Sequence, residues 1–147
     1  MYPILVDVSR LAILVVGGGR IATRKLAQLL AEGARPTVIA PTASEAVSNW
    51  EKENRLIWQR RAFQAGDTRG FAMVFIATDR RDVNEAVFAE TRPDQLVNDT
   101  TVKAHSSFFN LALVKSQQGT VGITTFGADP AKAKELQKQI RKLLETE

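Results

Sequence analysis

Residues 11–30 constrain the fold of this chain more than any other stretch. Six consecutive apolar residues, Leu11-Ala12-Ile13-Leu14-Val15-Val16, run into three glycines and then into an amphipathic pattern. An uninterrupted, partly β-branched apolar run of strand length suits a strand covered on both faces of a parallel sheet. Beyond the glycines, Ala22, Leu26, Leu29 and Leu30 share one helical face, Thr23, Arg24, Gln28 and Glu32 lie away from it, and Gly33 stands where the helix would end. Pro36-Thr37-Val38-Ile39-Ala40 reads as the next strand, and Pro41 stops it from continuing as a central ladder strand. A βαβ unit is therefore complete by residue 40.

Within that unit Gly17, Gly19 and Ala22 fit G-x-G-x-x-G/A, the turn that holds the pyrophosphate of a dinucleotide. The first glycine permits the turn, the second admits the phosphate to the backbone, and the small Ala22 lets helix and strand pack closely. The first amides of the helix face the phosphates, where the helix dipole favours negative charge. An acidic ribose partner is expected about 20 residues past the glycines, but Ala40-Pro41-Thr42 stands there, so Thr42 and backbone groups are left for that task. No basic residue directly follows the second strand to receive a 2′-phosphate, which points to NAD rather than NADP. Thr78-Asp79, after a later strand, falls on the sheet edge where such folds bind ligands; the structural alternative for Asp79 is the N-cap of the next helix.

The rest of the chain continues this grammar and then leaves it. Residues 44–53 are weakly helical, 56–58 a short strand, and 64–70 a loop with Gly66-Asp67 and Gly70. Ala72-Met73-Val74-Phe75-Ile76-Ala77 repeats the pattern of the first strand and leads into a helix with Val83, Ala86, Val87 and Glu90 on one side. Gln95-Leu96-Val97 forms a further short strand, ending in the polar loop Asn98-Asp99-Thr100-Thr101. Residues 108–114 and 120–125 then suggest an antiparallel hairpin around Lys115-Ser116-Gln117-Gln118-Gly119. Asp129-Pro130 opens a final helix, with Asp as N-cap, whose stripe is Ala133, Leu136, Ile140, Leu143 and Leu144. The expected fold class is α/β: a Rossmann-like parallel sheet with helices on both faces over residues 1–106, followed by a hairpin and helix over 107–147. That last segment either packs against a second copy of the chain or docks on its own sheet.

Bulk properties narrow the function. The 147 residues suffice for one compact domain or a domain with an appendage. The chain has no cysteine and a single histidine, His105, which excludes disulfides, thiolate metal sites, a cysteine nucleophile and a histidine metal cluster. No apolar run approaches a membrane span, and Asp7 and Arg10 break the order of a secretory signal, so a cytoplasmic protein is expected. A net charge of +4 is too modest to imply nucleic acid. Arg55, Arg60, Arg61, Arg69, Arg80 and Arg81 offer either a positive field for an acidic ligand or simply a solvated surface.

The assembled residues resemble one family closely. Tyr2-Pro3-Ile4, Val15-Val16-Gly17-Gly18-Gly19-Arg20-Ile21-Ala22 followed by Arg24-Lys25, and Glu32-Gly33-Ala34-Arg35 with Val38-Ile39-Ala40-Pro41 carry the first half of the match. Ala77-Thr78-Asp79 with Val83-Asn84, Val97-Asn98, Phe108, and Thr124-Thr125-Phe126-Gly127 before Asp129-Pro130 carry the second. These motifs are similar to those of the precorrin-2 dehydrogenases, including the amino-terminal module of bifunctional sirohaem synthases. The resemblance implies NAD-dependent oxidation of precorrin-2 to sirohydrochlorin and a homodimer built through the last segment. It also implies cofactor contacts at Gly17, Gly18, Gly19, Arg20 and Ile21, with Pro41 and Thr42 at the adenosine side. A basic rim drawn from Arg24, Lys25, Arg80, Arg81 and Lys103 would pair with the carboxylates of a tetrapyrrole substrate. No methyltransferase module is present, so a bifunctional role is not expected.

Two departures fall at the substrate end. The family's catalytic aspartate, three residues after Asn98, is here Thr101, whose hydroxyl is no general base at neutral pH without an activating partner. Asp99 or His105 could substitute from the same loop; their structural alternatives are an Asx-turn and a surface loop residue. Leu111 replaces a family proline, and Phe126 puts bulk where the family keeps a glycine. The loss of the acid leaves a second reading open, a binding protein of the same fold that senses or carries a dinucleotide or tetrapyrrole. Ferrochelation of sirohydrochlorin ranks below both, because it too would use the missing carboxylate.

Overall fold

The computed structural model describes residues 1–117, 119–126 and 128–144. Gln118 of the expected hairpin turn and Gly127 lie outside the described residues. The chain forms two compact units, Met1–Ser107 and Phe108–Glu147.

The first unit is built on five short parallel strands: β1 (Ile13–Val16), β2 (Thr37–Ile39), β3 (Ile57–Gln59), β4 (Met73–Ile76) and β5 (Leu96–Asp99). They lie in the order β3-β2-β1-β4-β5. Val15 is in register with Val38 on one side and Phe75 on the other. Every residue of β1 and β4 is buried, as their continuous apolar runs require of strands covered on both faces. Helix α1 (Arg20–Ala31) packs beside β1, α2 (Glu45–Lys52) beside β3, and α3 (Arg81–Ala89) beside β4. Leu14, Val16, Ile39, Val74, Ile76 and Val97 make one apolar face with Val87 of α3, and Phe63 and Phe88 close over it. From α1, Ala22, Leu26, Leu29 and Leu30 are buried, as the periodicity predicts. Gly33, at φ +78°, ends that helix in the left-handed conformation expected of a glycine stop. The chain leaves β1 toward β2 on one side, while β4 pairs on the other. The strand order thus reverses between β1 and β4, and a crevice opens beyond their carboxyl ends.

Three local expectations are corrected. Asn98 and Asp99 belong to β5 and are buried rather than looped out, because the ladder with β4 runs on to the Ile76–Asp99 pair. Helix α3 turns Asn84 inward and leaves Ala86 exposed, since Asn84 finds hydrogen-bond partners that make a buried amide acceptable. The N-cap of α3 is Arg80, not Asp79. Its own amide is received by the Thr78 hydroxyl at 3.1 Å, and the helix starts without a side-chain cap.

The second unit is an antiparallel hairpin, β6 (Ala112–Lys115) and β7 (Thr120–Ile123), packed with α4 (Pro130–Leu144). The Asp129 carboxylate accepts the Lys132 amide at 2.8 Å, the N-cap bond expected of Asp-Pro. Strand β6 starts later than its apolar run. Leu143 is 69% exposed and drops out of the expected stripe; Gln137 is turned inward instead and donates to the Leu113 carbonyl at 2.7 Å. Phe126 takes a φ of +53°, a left-handed conformation uncommon outside glycine, asparagine and aspartate.

Candidate functional site

The three glycines between β1 and α1 answer to different demands. Gly17 sits at φ +120°, and a Cβ there would lie 2.2 Å from the Ala77 carbonyl oxygen. A Cβ on Gly18 would come within 2.4 Å of the Thr42 carbonyl oxygen and 2.6 Å of the Ala43 Cβ. Both are fixed by backbone packing across the strand ends, which Gly17 N–H to Ile39 O (3.0 Å) and Ser44 N–H to Gly18 O (3.0 Å) hold together. Gly19 is different. Its φ of −79° is open to any residue, and a Cβ there would meet no atom within 4 Å.

What Gly19 faces is a cavity of about 640 Å³ at the carboxyl ends of β1, β2 and β4. Gly17, Gly18, Gly19, Arg20 and Ile21 form one wall, Pro41 and Thr42 a second, and Thr78 and Asp79 a third, so all nine sequence-derived cofactor residues converge. Helix α1 has no side-chain cap at its start, which leaves its first amides for a ligand. A cleft of this size, with a bare helix N-terminus and a glycine required by no protein neighbour, fits the pyrophosphate of a dinucleotide. Towards the second strand, the Trp58 indole N–H donates to the Ala40 carbonyl at 2.9 Å, and the Thr23 and Ser44 hydroxyls meet at 2.8 Å, tying α1 to the start of α2. Among the described residues no carboxylate lines this end.

Sequence reading missed Ala62, Phe63 and Val83, which also line the cavity. Ala62 and Phe63 lie on a loop pinned by Arg61, whose guanidinium donates to both Asp67 oxygens at 2.7 and 2.8 Å, while the Gln64 amide donates to the same carboxylate at 2.7 Å. Those bonds from Arg61 hold the Asp67 carboxyl below its ordinary range. The sequence signal for this loop is the Gly66-Asp67 turn close to Arg61. The mid-chain arginines do not pool into one field: Arg55 pairs with Glu53, Arg60 with Glu51, Arg61 with Asp67, Arg80 with Asp82 and Arg81 with Glu85. Lys25 is half-buried, its ammonium 5.1 Å from the centre of the Phe75 ring, and burial followed by the charge of Arg24 brings its pKa down to about 8. Arg24, Arg80, Arg81 and Lys103 are exposed.

The three candidate catalytic residues are joined in one network. The Asp99 side chain is fully buried. Its Oδ1 accepts the Thr101 amide (2.8 Å), the Thr101 hydroxyl (2.7 Å) and the Val102 amide (3.1 Å), and its Oδ2 faces His105 Nδ1 at 2.9 Å. The Asx-turn alternative for Asp99 therefore describes its backbone bonding. An ionised carboxylate can only accept, so His105 carries its proton on Nδ1. His105 is not a free loop residue: its ring stacks on Phe88 at 3.7 Å between centroids. Burial penalises the Asp99 charge, but the bonds from Thr101, His105 and Val102 outweigh it and hold the carboxyl below its ordinary value. Of the three, only Thr101 reaches the cavity wall. Its hydroxyl also accepts from Asn84 Nδ2 (3.3 Å), and Asn84 Oδ1 accepts from the Thr78 hydroxyl (2.5 Å).

These arrangements predict that Gly17→Ala destabilises the fold by about 1–3 kcal/mol or more, through a left-handed φ and a backbone clash. Gly19→Ala leaves the melting temperature nearly unchanged but weakens NAD binding at least tenfold by calorimetry. Because the folded Asp99 carboxyl is depressed, its contribution is present above the unfolded value of about 3.9 and is lost as pH falls through the folded one. Urea melts of Asp99→Asn should therefore show lower stability at pH 7 and a shallower loss below about pH 4 than the parent.

Comparison with known proteins gives a consistent answer. A family model described as putative NAD(P)-binding matches residues 4–112. The precorrin-2 dehydrogenase of Bacillus subtilis (strain 168) is 29% identical, over 99% of this chain and 90% of that protein. The precorrin-2 dehydrogenase of Priestia megaterium is 32% identical, over 95% of this chain and 69% of its own length. The siroheme synthase of Methylococcus capsulatus is 34% identical over 94% of this chain, which spans 29% of that longer protein. A solved structure of SirC, precorrin-2 dehydrogenase, superposes with a TM-score of 0.89 at 31% identity, covering 97% of this chain and 71% of that one. With the glycine turn, the reversed strand order and these matches together, the chain belongs to the precorrin-2 dehydrogenase family.

Proposed function

We propose that the chain oxidises precorrin-2 to sirohydrochlorin with NAD as hydride acceptor. The observation that carries this reading is Gly19, a glycine that neither its φ nor any neighbour requires, opening on the cavity at the strand-order reversal. The dinucleotide would be held by the backbone of Gly17 to Ile21 at the pyrophosphate and by Pro41 and Thr42 at the adenosine side, with Thr78 and Asp79 beside the turn on the loop after β4. Bound there, its oxidised nicotinamide supplies the carbon that accepts a hydride. The absence of both an acidic clamp and a basic residue after β2 favours NAD over NADP. Thr101, steadied by Asp99 and Asn84, orients the far end of the cavity rather than moving protons. Exposed Arg24, Arg80, Arg81 and Lys103 offer charge-assisted bonds to the carboxylates of the macrocycle.

Anaerobic incubation with enzymically made precorrin-2 and NAD should yield NADH and sirohydrochlorin in equal amounts. No turnover at high protein concentration would sink the reading. A second reading is favoured by the sequestered Asp99 and by Thr101 at the expected acid: a catalytically impaired protein that binds NAD or tetrapyrrole as sensor or carrier. Tight binding of either ligand without turnover would establish it.

Residues 1–106 would serve as the NAD-binding domain and 107–147 as the dimerisation segment. In the second unit Leu113, Val121, Phe126 and Leu143 are exposed apolar side chains, which supports a homodimer. Light scattering should give twice the chain mass, and Leu143→Glu should shift it toward the monomer. No helix among the described residues is long and apolar enough to cross a membrane, and a biosynthetic role of this kind suits the cytoplasm.

A further inference from the structure

The oxidation releases a proton as well as a hydride, and the family's acid is Thr101 in this chain. Asp99 cannot take the proton. Its side chain is fully buried, both oxygens are engaged, and it does not reach the cavity. His105 does not reach it either. Among the described residues that line the cavity there is one carboxylate, Asp79.

We infer that Asp79 is the proton acceptor of this enzyme. Four features support the assignment, which rests on the dehydrogenase reading above. Asp79 follows β4 at the strand-order reversal, on the loop that packs beside the glycine turn, and it lines the cavity. It is exposed, and it caps no helix, since α3 begins at Arg80 without a side-chain cap. Arg80, its neighbour in sequence, gives its guanidinium bonds to Asp82, and only the field of its charge reaches Asp79. No hydrogen bond or ion pair from another described residue engages the Asp79 carboxylate. The structure thus holds a carboxylate without a hydrogen-bond partner among the described residues in the cleft, while the expected position carries a hydroxyl.

The step balances without a further reactant. A hydride leaves one carbon of the macrocycle with its electron pair and reduces the nicotinamide. A proton then leaves a ring atom made acidic by that loss and bonds to an Asp79 oxygen, and the electron pair of the broken bond becomes the new double bond of the product. Asp79 is exposed, so the proton passes on to water.

The test compares Asp79→Asn, Asp79→Ala and Asp79→Glu with the parent, by anaerobic kcat, NAD affinity from calorimetry, and thermal melts. Asparagine and alanine should lower kcat at least 100-fold, far more than any change in NAD affinity, with Tm within about 2 °C of the parent. Glutamate should retain more activity than asparagine, and formate or acetate should restore turnover to the alanine variant. Asparagine and alanine variants that turn over within threefold of the parent would overturn the assignment. So would a loss accompanied by weakened NAD binding and no rescue, which would make Asp79 a cofactor contact, or a loss of fold, which would make it structural. An inactive parent would instead sink the dehydrogenase reading itself.

Discussion

The site depends on one close approach, that of the β1 exit to the backbone that follows β4. Gly17 lies against the Ala77 carbonyl at a distance no side chain would permit, and Gly18 lies as close to Thr42 and Ala43. This contact sets the spacing of the strand ends at the reversal point, and hence the width of the cleft. It also sets the angle at which α1 leaves, so that the free amides of its first turn point into the cleft. The buried apolar strands beneath provide the stiffness that makes the spacing reproducible.

A second node organises the opposite wall. Asp99 gathers four hydrogen bonds from residues two to six positions further on, turning the end of β5 into a short, rigid corner. Such a carboxylate is held for its geometry, and a buried charge of this kind is tolerated only because every one of those donors is in place. The chain through Thr101 and Asn84 to Thr78 links that corner to the loop after β4. Binding groups on two different strands are therefore positioned by one polar framework.

The sequence made the first half of this architecture legible. Period-3.6 spacing in α1, continuous apolar runs in β1 and β4, and the glycine spacing are local signals, and each reports its own element. The Asp129-Pro130 cap was equally local. What stayed hidden depended on pairing at a distance. Asn98 and Asp99 look like loop residues until β4 is placed beside them, and Asn84 looks solvent-facing until Thr78 and Thr101 are seen around it. The arginines of the middle region leave a shared field and a solvated surface both readable, because composition cannot show that most have an acidic partner nearby. Phe63 was unreadable for the same reason, since its loop has shape only through Arg61 and Asp67.

That forked ion pair has a further meaning for how a ligand is received. Loops that close a cleft are commonly ordered by the ligand itself, which then loses affinity to the entropy of ordering them. Here the loop beside the cavity is already tied down at Asp67 by Arg61 and by its own Gln64 amide. Less of this wall is then left for a ligand to order, so association should proceed with a smaller entropic loss than a free loop would impose. Release of the cofactor should likewise call for little loosening of this loop.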